Sequence, residues 1–564
     1  MNSSLFSRQS TLLLLCLLLV CCNELNKENV DVANEGNLIR ITDEQLTKDP
    51  NGKSDASALA IFLDFNFEGV VKTRFNFDLD RVIEQQLLYT VGQLNADHAV
   101  GRLDQLKLTD IQVESLDEGG YEVRYQASLL VAWSRKDRIP NHYILTLPYD
   151  TTFESQRNFT EAYKDKCVSY EAHDVDEGSI WYYFRPRRVG CELKEEDIRR
   201  FEASISLSPV MTSGKYPEYH KVWEDNTFRS LVIFGHAKEE GVLEDDIGFQ
   251  GFQDYYRLLT SELLDLGATN IKTTPSDIAY YPTVNQSDIT VEATLPDGKQ
   301  VIAHILLVQN VRTAGYFFDR RYGSLSKYAD LIVYNGHAGL GANVRALAGK
   351  GNWQEGQYTV FFMNGCDTYA YVDEALFESR AAVNSDDETG RKYVDIVNNA
   401  MPSYFFSMPR ASMALVKGLL SYESPLTYEA MFAKVDPSQV VLVTGEEDNV
   451  FVPGYESEIA QNAMSWEGLS YEGELRSNER WTFETPVLNP GTYQFSIEGW
   501  GDADLYIRRG LEPSMEDYDC RPFSLGSQES CEVEITTPTV VYGMVNAWFN
   551  DAKFSFTGEV QDLN

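Results

Sequence analysis

Histidine and cysteine are scarce in this chain of 564 residues, with seven of one and eight of the other. Basic residues are also under-represented. The 48 Lys and Arg face 86 Asp and Glu, which leaves a formal net charge of −38. So acidic a surface repels phosphate backbones and anionic headgroups, which excludes nucleic acid and anionic lipid as partners held by broad electrostatics. No apolar run after Cys22 is long enough to cross a bilayer as a helix. His98, His142 and His173 are dispersed without metal-ligand spacing, and no metal site is assigned. Acidic loops occur at Glu244-Asp245-Asp246, Asp386-Asp387-Glu388 and Glu446-Glu447-Asp448. Calcium is the one cation they could collect, but none has EF-hand spacing, so the reading requires no cofactor.

What remains is an ordinary globular composition, 43% hydrophobic and 12% aromatic, in a length that holds three or four domains. Met1 to Cys22 reads as an export signal, with Arg8 in the positive region and Leu12 to Val20 as the apolar core. Its end, Leu19-Val20-Cys21-Cys22, resembles a bacterial lipoprotein box, with Cys22 the better-placed acceptor. Two forms follow: a surface lipoprotein attached to a membrane through Cys22, or a secreted soluble protein. Residues 23–57 are rich in Asn and Glu and read as a flexible linker.

Five cysteines follow the signal. Four form two sequence-local pairs, which predicts the disulfides Cys167–Cys191 and Cys520–Cys531 of an oxidising compartment. Cys366 is left over, and an odd thiol in an exported protein is a candidate nucleophile. It follows a short apolar run, Tyr358 to Met363, and an Asn-Gly step. A second run, Leu331 to Tyr334, leads into Asn335-Gly336-His337-Ala338-Gly339. Both runs are too short for buried helices and read as parallel strands. In an open α/β sheet, ligands bind beyond the carboxyl ends of the strands, so His337 and Cys366 would face one crevice. A nearby imidazolium lowers a thiol's pKa, and the imidazole can protonate a leaving amine. The glycines beside both residues admit a substrate backbone, and their N–H groups could hold an oxyanion.

These residues resemble the caspase, gingipain and clostripain superfamily of cysteine peptidases (clan CD). There an apolar block precedes His-Gly and a second block precedes Ala-Cys. The resemblance implies that Cys366 and His337 are the catalytic dyad, with the backbone at Ala338, Gly339, Gly365 and Cys366 as the oxyanion hole. Asn364 occupies the position before Gly365-Cys366 that bears on specificity in such families, and Asp367 is a candidate substrate-binding or orienting carboxylate. Ala338 and Gly365 depart from the family's usual residues. His236, after the strand Ser230 to Phe234, is the rival base.

Along the chain, residues 58–227 read as an N-terminal α+β domain, with strands at Leu59 to Phe67, Gly120 to Trp133, His142 to Leu147, Ile180 to Phe184 and Phe201 to Leu207. Residues 228–460 read as the α/β catalytic-type domain. Its mostly parallel, caspase-like sheet would have a hairpin insertion at Ile289 to Val308 and a helix at Arg391 to Ala400. Residues 463–564 read as a β-sandwich of short alternating strands. Gly501-Asp502-Ala503-Asp504-Leu505-Tyr506-Ile507-Arg508 and Tyr518-Asp519-Cys520-Arg521-Pro522 resemble the bacterial prepeptidase C-terminal domain, a module of secreted peptidases. The expectation is an exported cysteine endopeptidase cleaving a peptide or protein substrate. The alternative is a catalytically inactive caspase-like surface lipoprotein that binds a protein or polysaccharide.

Overall fold

The computed structural model describes residues 54–561, apart from 118, 137, 239–242, 456–465, 490, 516, 536–538 and 549. The export signal, Cys22 and the predicted 460/463 boundary lie outside the described residues. In chain order the strands are β1 (Ala56–Ser57), β2 (Ile61–Thr73), β3 (Ala99–Ser115), β4 (Tyr121–Trp133), β5 (His142–Pro148) and β6 (Ile198–Leu207). Next come β7 (Thr227–Gly235), β8 (Thr269–Thr274), β9 (Asp288–Thr294), β10 (Gln300–Val308), β11 (Leu331–Asn335), β12 (Thr359–Asn364), β13 (Val394–Asn399) and β14 (Val441–Gly445). The last seven are β15 (Leu469–Leu475), β16 (Arg480–Glu484), β17 (Gly491–Trp500), β18 (Ala503–Arg509), β19 (Glu529–Ile535), β20 (Val541–Ala547) and β21 (Ala552–Gln561).

A nine-stranded mixed sheet forms the centre, in the order β1-β14-β13-β12-β11-β7-β10-β9-β8. The run β13-β12-β11-β7-β10 is parallel, and β14, β1 and β9 are antiparallel to their neighbours. β11 and β12 are buried along their whole length, which explains their unbroken apolar sequence. Alternation divides them between two cores. Leu331 and Val333 point to one face, where the helices Ile247–Asp265 and Met408–Leu420 cover the sheet. Ile332 and Tyr334 point to the other, into a core continuous with residues of the N-terminal domain.

That domain is a five-stranded sheet, β3-β4-β2-β6-β5, with short helices at Leu79–Leu87 and Tyr89–Asn95. Phe65 and Phe67 of β2 point to one face of that sheet and Phe62 to the other, and all three are buried in the shared core. The C-terminal β-sandwich packs the sheet β15-β21-β17-β19 on β16-β20-β18, closed around Phe483, Phe495, Leu505, Val545 and Phe556. Disulfides join Cys167 to Cys191 and Cys520 to Cys531.

Four expectations change. Ala56–Ser57, placed in the flexible linker, is an edge strand on β14. The neighbouring Asp55 is buried and accepts hydrogen bonds from Tyr369 and Thr444 hydroxyls, so the chain is anchored before residue 58. Ile180–Tyr183, predicted as a strand, is one helical turn. Val394–Asn399, predicted as helix, is the buried strand β13, because burial on both faces overrides its weak helical spacing. β10 is no insertion: it pairs in parallel with β7 along Gln300–Val308.

Candidate functional site

The site lies where β7, β11 and β12 end. Asn335 and Asn364, the last residues of β11 and β12, are register partners. Their side chains form the centre of a buried amide network. Asn364 Nδ2 donates to Asn335 Oδ1 at 2.8 Å, while Asn364 Oδ1 accepts from Asn399 at 3.1 Å, Ser403 at 3.0 Å and Gln439 at 2.5 Å. Asn364 is fully buried, so it supports the strand ends and offers nothing to a substrate.

The two turns beyond the strands touch. Gly336 N–H donates to Asn364 O at 3.3 Å. A Cβ on Gly365 would lie 2.8 Å from Gly336 O and 3.2 Å from Ala338 N, so only glycine permits this approach. Tyr334 Oη and Asn343 Nδ2 both donate to His337 O, at 3.0 and 2.7 Å, which fixes the first turn. Gly339 has a φ of 59° and carries the chain out of that turn.

The two candidate catalytic side chains have separate partners. His337 Nε2 lies 3.1 Å from Ala237 O, two residues beyond the end of β7, and the exposed ring stands edge-on to Phe405 with centroids 5.1 Å apart. Cys366 Sγ donates to Ser403 O at 3.5 Å. No hydrogen bond joins the imidazole and the thiol. Cys366 retains some exposed surface, but burial among protein atoms pushes its pKa up to about 12, and the neighbouring Asp367 charge adds to this. It is therefore a neutral thiol at physiological pH.

Asp367 is wholly enclosed by the N-terminal domain. Asn95 Nδ2 donates to Oδ1 at 2.5 Å and Tyr182 Oη to Oδ2 at 2.7 Å. Burial raises this carboxyl to about 7; the Tyr182 hydroxyl, Arg185 and Asn95 only partly offset it. Asp367 is therefore an anchoring carboxyl, closed to substrate, in place of the substrate-binding role expected of it. Sequence reasoning missed Asn95 and Tyr182, which carry no local signal because they stand 272 and 185 residues from their partner.

His236 is buried, with Nδ1 3.2 Å from Asp246 Oδ1. Asp246 caps the helix Ile247–Asp265, accepting N–H bonds from Gly248 and Phe249, and takes two more from Ala237 and Lys238. Burial opposes its ionisation, yet these backbone donors and His236 hold the carboxyl below its ordinary value. The other acidic loops are also structural. Asp387 accepts from the Arg391 and Lys392 backbone, and the buried Glu446 accepts from Asn449. Among the described residues no three His, Cys, Asp or Glu side chains converge as metal ligands.

No family model matches the chain. Similarity to curated proteins is confined to the C-terminal region. It reaches 36% identity over 84 residues with a zinc metalloprotease of Helicobacter pylori, covering 15% of this chain and 31% of that protein. With alkaline serine exoprotease A of Vibrio alginolyticus it is 42% over 52 residues, or 9% and 10% of the two chains. The chain thus spans about a third or less of the length of these relatives. Among solved structures, the pre-peptidase C-terminal domain of a Bacillus anthracis collagenase aligns with 14% identity and a TM-score of 0.14, covering 16% of this chain and 89% of that one.

These findings correct the functional reading. The relatives are named for zinc and serine chemistry, and Cys366 is a neutral thiol without an imidazole partner. The cysteine-peptidase assignment, with Cys366 and His337 as its dyad, is overturned. The expectation of cofactor-free chemistry falls as well, since a zinc metalloprotease requires zinc. The donor set of this chain nevertheless does not fit zinc. No ligand cluster forms among the described residues, and no histidine follows His337, so the matching C-terminal segment contains no imidazole.

Proposed function

We propose that the protein is an exported peptidase-type hydrolase acting on polypeptides, built as a caspase-like α/β body with an accessory C-terminal β-sandwich of the prepeptidase type. The observation that carries this reading is the C-terminal similarity to proteases of two different chemistries. A segment shared by zinc and serine enzymes supplies neither chemistry. It travels with proteolysis as a module, which fits a separate closed core around Phe495 and Phe556. Two disulfides support export. The sheet order, with a parallel block from β13 to β10 and antiparallel β14 at its side, supports the caspase-like body.

In this reading the polypeptide lies across the turns after β11 and β12, against His337, the backbone of Ala338, Gly339 and Gly365, and Cys366. The domain limits are those read from the sequence, except that the α/β body also takes residues 54–57. The group that attacks the carbonyl is assigned by inhibition. Purified full-length protein is incubated with a carboxymethylated, unfolded protein and the products are read by mass spectrometry. Parallel reactions contain a zinc chelator, a serine-directed phosphonate or a thiol alkylator. New peptide N-termini are expected, and the reagent that abolishes them names the chemistry. An intact substrate from acid to alkaline pH, with and without added zinc, overturns the proposal.

A further inference from the structure

The segment closed by the Cys167–Cys191 disulfide belongs to the N-terminal domain, yet it reaches the turn that carries Cys366 and Asp367. It carries the helical turn Ile180–Tyr183. Trp181 packs its ring against Tyr371, in the segment after Cys366, with centroids 6.4 Å apart. Tyr182 donates to Asp367, the residue that follows Cys366. Tyr182 and Tyr183 both stand close enough to Cys366 for a thiolate there to disfavour their own ionisation. Asn95 grips the second oxygen of Asp367, and Arg185 Nη2 in turn donates to Asn95 Oδ1 at 3.2 Å. The turn is also braced from behind, since Ile180, Trp181 and Phe184 are buried in the shared core.

We infer that residues 167–191 form a built-in cap, an autoinhibitory contact in which Tyr182, clamped on Asp367, closes the crevice beside Cys366. The inference rests on the proposed location of polypeptide binding and adds its regulation. The polar clamp is specific: two donors from the N-terminal domain meet both oxygens of one carboxyl group that has no exposure of its own. A contact made only for packing would not require a fully buried carboxyl at this position, where burial is costly. Cys366 directly precedes the clamped Asp367 and keeps some exposed surface, so its reaction rate reports on how far the segment covers it. Opening requires that the Tyr182 hydroxyl release Asp367 and that Trp181 leave Tyr371 and the shared core, while the Cys167–Cys191 disulfide keeps the two ends of the segment joined.

The test is the rate at which Cys366 reacts with iodoacetamide in the full-length protein, with the label located by mass spectrometry. This readout does not depend on peptidase activity, so it separates failure of the cap from failure of the proposed function. Tyr182→Ala combined with Tyr183→Ala is expected to raise the rate at least tenfold. Tyr182→Phe, which loses only the hydrogen bond to Asp367, is expected to raise it severalfold and serves if the double variant does not fold. Phe67→Ala, a core change in β2 away from the crevice, controls for general loosening and should leave the rate within twofold of the wild type. An unchanged rate in folded Tyr182 variants, or an equal rise in Phe67→Ala, overturns the cap.

Discussion

Replacing Asp367 by Asn should remove a pH dependence of stability that this one carboxyl imposes. In the unfolded chain the group titrates in the ordinary carboxylate range, near 3.8. In the folded protein burial raises it to about 7, against the partial relief given by Tyr182, Arg185 and Asn95. The folded state therefore holds the proton more tightly. Its advantage is complete below the unfolded value and is lost as pH rises through the folded value. Between pH 3.8 and about 7 the wild type should lose about 4 kcal/mol from this group alone. Asparagine is neutral throughout, tolerates the local φ of 51°, and its carbonyl oxygen can still accept from Tyr182. Urea unfolding at a series of pH values measures the effect. The difference in stability between Asp367→Asn and wild type should grow toward neutral pH in favour of the variant. Parallel pH profiles would refute the burial argument, because they would mean that the carboxyl ionises as freely in the fold as out of it.

Further outcomes follow from the same geometry. With its pKa near 12, Cys366 should react with iodoacetamide at neutral pH on the order of a thousandfold more slowly than a free cysteine, as labelling kinetics would record. Asn364→Asp would set a carboxylate oxygen against Asn335 Oδ1 and Met408 O, where the amide now donates, and should cost about 3 kcal/mol in a denaturant titration. Gly365→Ala would drive a methyl group against the Gly336 carbonyl and should cost about 1–3 kcal/mol, read as a lowered melting temperature. Replacing Cys167 and Cys191 by Ser should cost about 3 kcal/mol by the loop-closure argument and render the 167–191 segment protease-sensitive, as limited proteolysis would show.

Much of the central sheet was legible because burial on both faces leaves a plain mark. Leu331 to Tyr334 and Tyr358 to Met363 are continuous apolar runs, and the glycines after them mark turns that come close together. The same rule failed at Val394–Asn399. There Asp395, Asn398 and Asn399 break the apolar run, because the strand carries buried polar partners such as Lys215 for Asp395. The β-sandwich was legible from its turn spacing and from the alternation of residues such as Phe554 and Phe556. The site was legible only in position. Sequence brought His337 and Cys366 to adjacent strand ends, but their chemistry depends on what surrounds them. The tyrosine and the asparagine that grip Asp367, next to the thiol, come from a domain far away in the chain. Asp246 was not legible as a helix cap, because it sits in the acidic run Glu244-Asp245-Asp246, and the helix it caps begins at Ile247.

The most direct measurement of the central claim is a time course of cleavage of an unfolded polypeptide by the full exported chain. The wild type is run beside the Tyr182→Ala, Tyr183→Ala variant, with every new N-terminus identified by mass spectrometry. The account predicts the same cleavage positions in both, produced faster when the cap is removed. A substrate that stays intact with both forms, in the presence and absence of added zinc, would contradict it.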